Sequence, residues 1–194
     1  MTPMDLTGKK DIILKQELNF ANEIGAALFE KPKVSVWMIF IPILFLYFIF
    51  RMQKFKNDRT KFSTEFMAAR REAMALAYDA SAAKSPAGND SVNRSAKLPE
   101  PLQEPYGSWI KALSSLYLDL LSADGNDFDS LVRTAYRNRV KYLDTLDRVN
   151  QSEKEFYAVL KPLMAEVEGT DTIIAILESE SRRLRRDMAD RIFC

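Results

Sequence analysis

The side chains here that move protons or carry charge are chiefly aspartate, glutamate, lysine, arginine and tyrosine; there is one cysteine, Cys194, and no histidine. Without imidazole the chain cannot build a histidine general base, a Ser-His-Asp relay or most zinc and iron sites. A lone thiol excludes iron–sulfur ligation and any intramolecular disulfide, which suits a reducing compartment. Gly8, Gly25, Gly88, Gly107, Gly125 and Gly169 are too scattered to form a phosphate-cradling loop. Carboxylate or lysine chemistry remains, and it needs acids facing inward in pairs. The pattern instead puts every acidic residue on a polar helix face or a cap. Asp124-Gly125-Asn126-Asp127-Phe128-Asp129 has the composition of a calcium loop, but its glycine is misplaced and the twelfth position is Ala135 rather than glutamate. A turn between helices is expected there. The expectation is a non-enzyme with no cofactor and no metal.

Two clusters of cations are candidates for binding rather than catalysis. Arg51, Lys54, Lys56, Arg59 and Lys61 follow directly on an apolar run, where each would attract anionic lipid by about 1 kcal/mol near a surface. Arg182, Arg183, Arg185 and Arg186 fall late in a helical pattern. The helix dipole favours them there, and they form a candidate patch for an anion or an acidic partner. The net charge is only +1, and Arg137, Arg139 and Lys141 are offset by Asp144 and Asp147. Nucleic-acid binding therefore lacks its electrostatic footprint.

The element that would position all of this is 34–50, VSVWMIFIPILFLYFIF, seventeen residues without a charge. As a helix it covers roughly 25 Å, and a flanking turn brings it to a hydrocarbon core of about 30 Å. Trp37 and Tyr47 stand near its ends as interfacial rings do, and Pro42 at mid-depth removes one backbone donor. The expectation is a single transmembrane helix retained as an anchor, since the run starts too far in for a cleavable signal. Arg51, Lys54, Lys56, Arg59, Lys61, Arg70 and Arg71 follow it, against Lys9, Lys10, Lys15, Lys31 and Lys33 before it. That bias of seven to five favours a cytoplasmic C-terminal side.

Ahead of the span, Ile13, Leu14, Leu18, Ala21, Ile24, Ala27 and Leu28 recur at helical spacing. This N-terminal amphipathic helix, within 1–33, is expected to lie along the membrane interface, with packing on a partner's membrane domain as the alternative. Residues 51–84 hold neither Gly nor Pro and should continue as a cytoplasmic helical stalk. A heptad fits them, with Met52, Arg59, Phe66, Ala73 and Ala80 at a and Phe55, Phe62, Ala69, Leu76 and Ala83 at d. Asp58, Glu65, Glu72 and Asp79 occupy g, while Lys56, Ser63, Arg70, Ala77 and Lys84 occupy e. In a parallel homodimer this pairs Glu65 with Arg70 and Asp79 with Lys84 of the second copy. The ten a and d residues form the candidate self-association seam. Packing on a different chain, or within the same one, would cover the same stripe.

Pro86, Pro99, Pro101 and Pro105 mark 85–107 as a linker. Residues 108–194 then read as a small helical bundle: Ser108 caps a first helix that Gly125 ends, and Asp127 caps a second. That second helix either divides, at the polar stretch 150–154 or at Pro162, or runs on through both. Gly169 closes it, and Thr170 or Asp171 caps the last one. No strand alternation appears. The fold class is all-α: an amphipathic helix, one transmembrane helix, a long cytoplasmic stalk and a C-terminal bundle. The expected role is a single-pass membrane anchor, scaffold or accessory subunit presenting helices to protein partners. A signalling adaptor and a non-redox structural subunit of a larger membrane enzyme complex are the alternatives.

Overall fold

The helical spacing of apolar residues does wind into helices, and among the described residues there is no strand. The computed structural model describes residues 4–29, 58–83, 98–165 and 169–194. The apolar run 34–50, Met52 and Phe55 lie outside them. No helix among the described residues is long and apolar enough to cross a membrane. The elements are α1 (Leu6–Phe29), α2 (Asp58–Ala83), α3 (Glu100–Ser122), α4 (Phe128–Tyr136), α5 (Arg139–Leu163) and α6 (Thr170–Phe193).

These helices share one hydrophobic core. α1 and α2 run antiparallel along most of their length. Thr7 and Tyr78 exchange a hydroxyl hydrogen bond at 3.2 Å, Arg70 reaches Glu17 at 2.8 Å, and Ser63 Oγ donates to Asn22 Oδ1 at 3.0 Å. Near the end of α1, Gly25 brings its bare Cα against the Phe62 ring; a Cβ there would stand 3.2 Å from Phe62 Cδ1. α1 also runs antiparallel to α6, with Gln16 against Met188 and the Arg185 guanidinium 5.2 Å from the Phe20 ring. α5 and α6 form a second antiparallel pair, tied by Lys161 to Asp171 at 3.1 Å and by Arg139 to Asp190. Trp109 of α3 stacks on Phe156 of α5, 5.5 Å between centroids.

Several boundaries differ from the expected ones for local reasons. The C-terminal part of the expected linker is helical: Pro99 is the N-cap of α3, Pro101 sits in its first turn, and Pro105 lies within it. Proline suits a first turn because the N–H it lacks has no intrahelical partner there. Ser108 is therefore inside α3 rather than its cap. α3 ends on an extended Ala123 instead of a left-handed Gly125. Gly125 serves close approach: a Cβ would come within 2.5 Å of Ser130 Oγ and 2.8 Å of the Leu131 nitrogen. Asp127 caps α4 in a full capping box with Ser130. The break after α4 falls at Arg137, which takes a left-handed φ of 62°, and Asn138 caps α5. α5 then runs unbroken through 150–154, with Pro162 in its last turn. Gly169, at φ 84°, is the N-cap of α6, and Thr170 Oγ1 donates back to the Met164 carbonyl at 3.2 Å.

The larger correction concerns α1 and α2. Ile13, Ala21, Ile24 and Leu28 are buried inside the chain, so the apolar face expected to lie in a membrane interface is already covered by protein. Phe20, outside the expected stripe, is buried beside them, and Leu18, within it, is 41% exposed. α2 is not a free stalk. Its contacts reach α1 and α3, so among the described residues the N-terminal helix, the expected stalk and the expected C-terminal domain share one core.

Candidate functional site

Charge pairing in the core also departs from the sequence pattern. Glu17 (α1), Arg70 (α2), Glu153 (α5) and Arg185 (α6) converge in the core, although the pattern assigns both acids to polar faces. Arg70 is fully buried and Glu153 is 2% exposed. Arg70 Nε donates to Glu17 Oε2 at 2.8 Å, its Nη2 lies 3.9 Å from Glu153 Oε1, and its Nη1 donates to the Phe66 carbonyl at 3.2 Å. Arg185 Nη1 donates to Glu153 Oε2 at 2.7 Å and to Asn150 Oδ1. Two cations and two anions make the cluster neutral, which lets it survive burial where an isolated charge would not.

Aromatic faces complete the enclosure. The Arg70 guanidinium carbon sits 3.6 Å from the Phe66 centroid and 5.5 Å from that of Phe20, a cation–π arrangement. Burial pulls the Arg185 guanidinium down, but the Glu153 charge and hydrogen bond outweigh it, and its pKa is raised. Burial, followed by the Glu153 charge, holds the Tyr157 phenol well above its ordinary range; burial and then Glu17 do the same for Tyr117. Each carboxylate here is engaged by a guanidinium and each phenol is held protonated. The arrangement suits a clamp joining four helices better than proton transfer.

The same contacts decide the fate of the candidate seam. Phe62, Phe66, Ala69 and Ala73 are buried within the chain, and Leu76 and Ala80 are half-buried. Met52 and Phe55 lie outside the described residues; Arg59 and Ala83 fall in α2, but only their place in the helix is described. The flanking positions are used internally too. Arg70 turns to Glu17, Ser63 to Asn22, and Glu72 accepts from the Tyr106 hydroxyl at 2.8 Å. The described part of the stripe expected between two copies is thus covered by α1 and α3 of one chain.

The candidate arginine patch divides. Arg185 faces inward to Glu153. Arg183 bridges Glu180 and Asp187 on its own helix at 2.8 and 2.9 Å. Arg182 and Arg186 are exposed and, with Lys154 and Arg183, line an open groove of about 510 Å³ between α5 and α6. Glu153, Glu178 and Asp187 line it as well, so its field is mixed rather than that of an anion site. Of the lipid candidates, Arg51, Lys54 and Lys56 lie outside the described residues, and Arg59 and Lys61 occupy the first turn of α2. In the 124–129 turn, Asp127 holds the cap and Asp129 takes both nitrogens of Arg191 at 2.8 and 3.1 Å.

Comparison with known proteins adds little. No family model and no solved structure matches the chain. A stretch of 85 residues, 44% of the chain, is 32% identical to part of a glutamate–tRNA ligase from Halalkalibacterium halodurans. The chain spans 17% of that ligase's length.

Two signals in the sequence pointed toward the buried cluster. Glu153 interrupts an apolar stripe that resumes at Phe156, and Arg70 is flanked by Phe66 and Ala69 on the apolar side of its helix. Neither residue announces its partner, because the partners lie 53 and 32 positions away.

Proposed function

We propose that the chain is a non-catalytic, membrane-attached scaffold that displays a rigid helical bundle to protein partners. The observation that supports this most is the place of the apolar run. Residues 34–50 carry no charge, and they connect two helices, α1 and α2, that are locked into the same core. So long an uncharged apolar stretch needs a covering, and a hydrocarbon phase is the chemistry it fits. The ion cluster supports the scaffold half of the reading, since its charges are spent on holding helices together. The partial likeness to a ligase covers too little of that enzyme to bring its reaction here.

The reading is tested by flotation of the full chain with phosphatidylcholine–phosphatidylglycerol vesicles. The wild type is expected to float and to resist carbonate extraction. Ile41→Arg with Leu44→Arg is expected to abolish flotation, since each central charge costs about 2.5–3.5 kcal/mol to insert. A wild-type chain that stays in the aqueous fraction refutes membrane attachment. Native mass spectrometry after mild detergent extraction tests the scaffold role. Stoichiometric foreign subunits would support presentation to partners, and a chain that extracts alone would count against it.

A further inference from the structure

We infer that α1 and the rest of the bundle lie on one and the same face of the membrane to which the chain attaches. The inference rests on the membrane reading above and replaces its single-pass form. α1 and α2 touch from Thr7–Tyr78 at one end to Gly25–Phe62 at the other. The last residue of α1, Phe29, and the first of α2, Asp58, therefore belong to one pole of the bundle. Only 28 residues, 30–57, join them.

A complete crossing is incompatible with that pairing. Seventeen helical residues are used up by one passage of roughly 25 Å. Residues 51–57 would then have to bring the chain back across. Fully extended they reach about 25 Å at most, short of a core of about 30 Å. They also read RMQKFKN, with three cations, each costly in hydrocarbon.

Charge distribution points the same way. In a single pass the cations near the run divide five before and seven after, a narrow bias. With both flanks on one face, Lys31, Lys33, Arg51, Lys54, Lys56, Arg59 and Lys61 all gather there against only Glu30 and Asp58 within 30–61. Seven cations against two anions at one surface favour an anionic leaflet. The buried cluster reinforces the geometry. Moving α1 to the opposite face would strip Glu17 from Arg70 and leave a fully buried guanidinium with one distant carboxylate.

Two measurements on the full chain, bound to vesicles, test this. In the first, Asn22→Cys with Ser63→Cys is made in a Cys194→Ser background and oxidised after the vesicles are isolated. The two side chains meet directly (3.0 Å between Asn22 and Ser63), so a near-complete intrachain crosslink is expected while flotation persists. In the second, an impermeant maleimide is applied to native Cys194 and, separately, to Asn19→Cys in the Cys194→Ser background, both positions being exposed. Equal labelled fractions before lysis are expected at the two positions. Complementary fractions with no crosslink, in a chain that still floats, overturn the same-face inference alone. A chain that never binds vesicles overturns it together with the membrane reading. Glu23→Cys, also exposed, repeats the labelling should Asn19→Cys misfold.

Discussion

Replacing Glu153 by glutamine should destabilise this protein far more than its conservative chemistry suggests. The side chain is 2% exposed and sits 2.7 Å from Arg185 and 3.9 Å from Arg70. The substitution keeps the volume but leaves two buried guanidinium groups facing Glu17 alone, one positive charge in excess. Breaking a buried pair from one side costs about 3–5 kcal/mol. Glutamine still offers one acceptor, so about 3 kcal/mol is expected. At roughly 2–4 °C per kcal/mol for a domain of this size, the melting temperature should fall by about 6–12 °C. Asp190→Asn is the control. It breaks the Arg139 pair, whose side chains are 45% and 46% exposed, and such pairs contribute about 0–1 kcal/mol. Circular dichroism at 222 nm on the full chain, in one detergent throughout, reads both. Glu153→Leu combined with Arg185→Met removes one charge of each sign, leaves Arg70 with Glu17, and should recover much of the loss. If Glu153→Gln melts no lower than Asp190→Asn, the cluster is neither dry nor a clamp, and the reasoning fails.

Three other outcomes follow from local contacts. Asp127→Ala should cost about 1 kcal/mol through loss of the α4 cap, with Asp127→Ser close to wild type in the same melts. The backbone N–H and hydroxyl of Ser130 hold the Asp127 carboxyl below its ordinary 3.8, so its contribution is present above that pH and is lost as pH falls through the lowered value. Tyr117, Tyr136, Tyr142 and Tyr157 are all raised above 10, chiefly by burial. The folded state thus keeps protons that the unfolded state sheds, and stability should decline as pH rises past 10. The phenolate absorbance of these four at 295 nm should then appear together with loss of helix; ionisation of four or more of the seven tyrosines in a still-helical protein would contradict their burial. Gly125→Ala places a methyl group against Ser130 and the Leu131 backbone, and should cost about 1–3 kcal/mol as overpacking does, measurable by urea unfolding.

Taken alone, the sequence determined that the described elements are helices, because a 3.6-residue apolar period and the absence of strand alternation are local properties of the chain. It also placed the Asp127 cap, whose partner Ser130 is three residues away, and the stripes of α3, α5 and α6. It marked 62, 66, 69 and 73 as a face to be buried, but periodicity says that a face is covered without saying by what. Only the tertiary structure decided that α1 and α3 fill it rather than a second copy, and that Glu17, Arg70, Glu153 and Arg185 belong inside. A charge is tolerated in a core only when a partner of opposite sign is brought within about 4 Å. Those partners sit on different helices, so their meeting is a property of how helices cross and could not be read along any one of them.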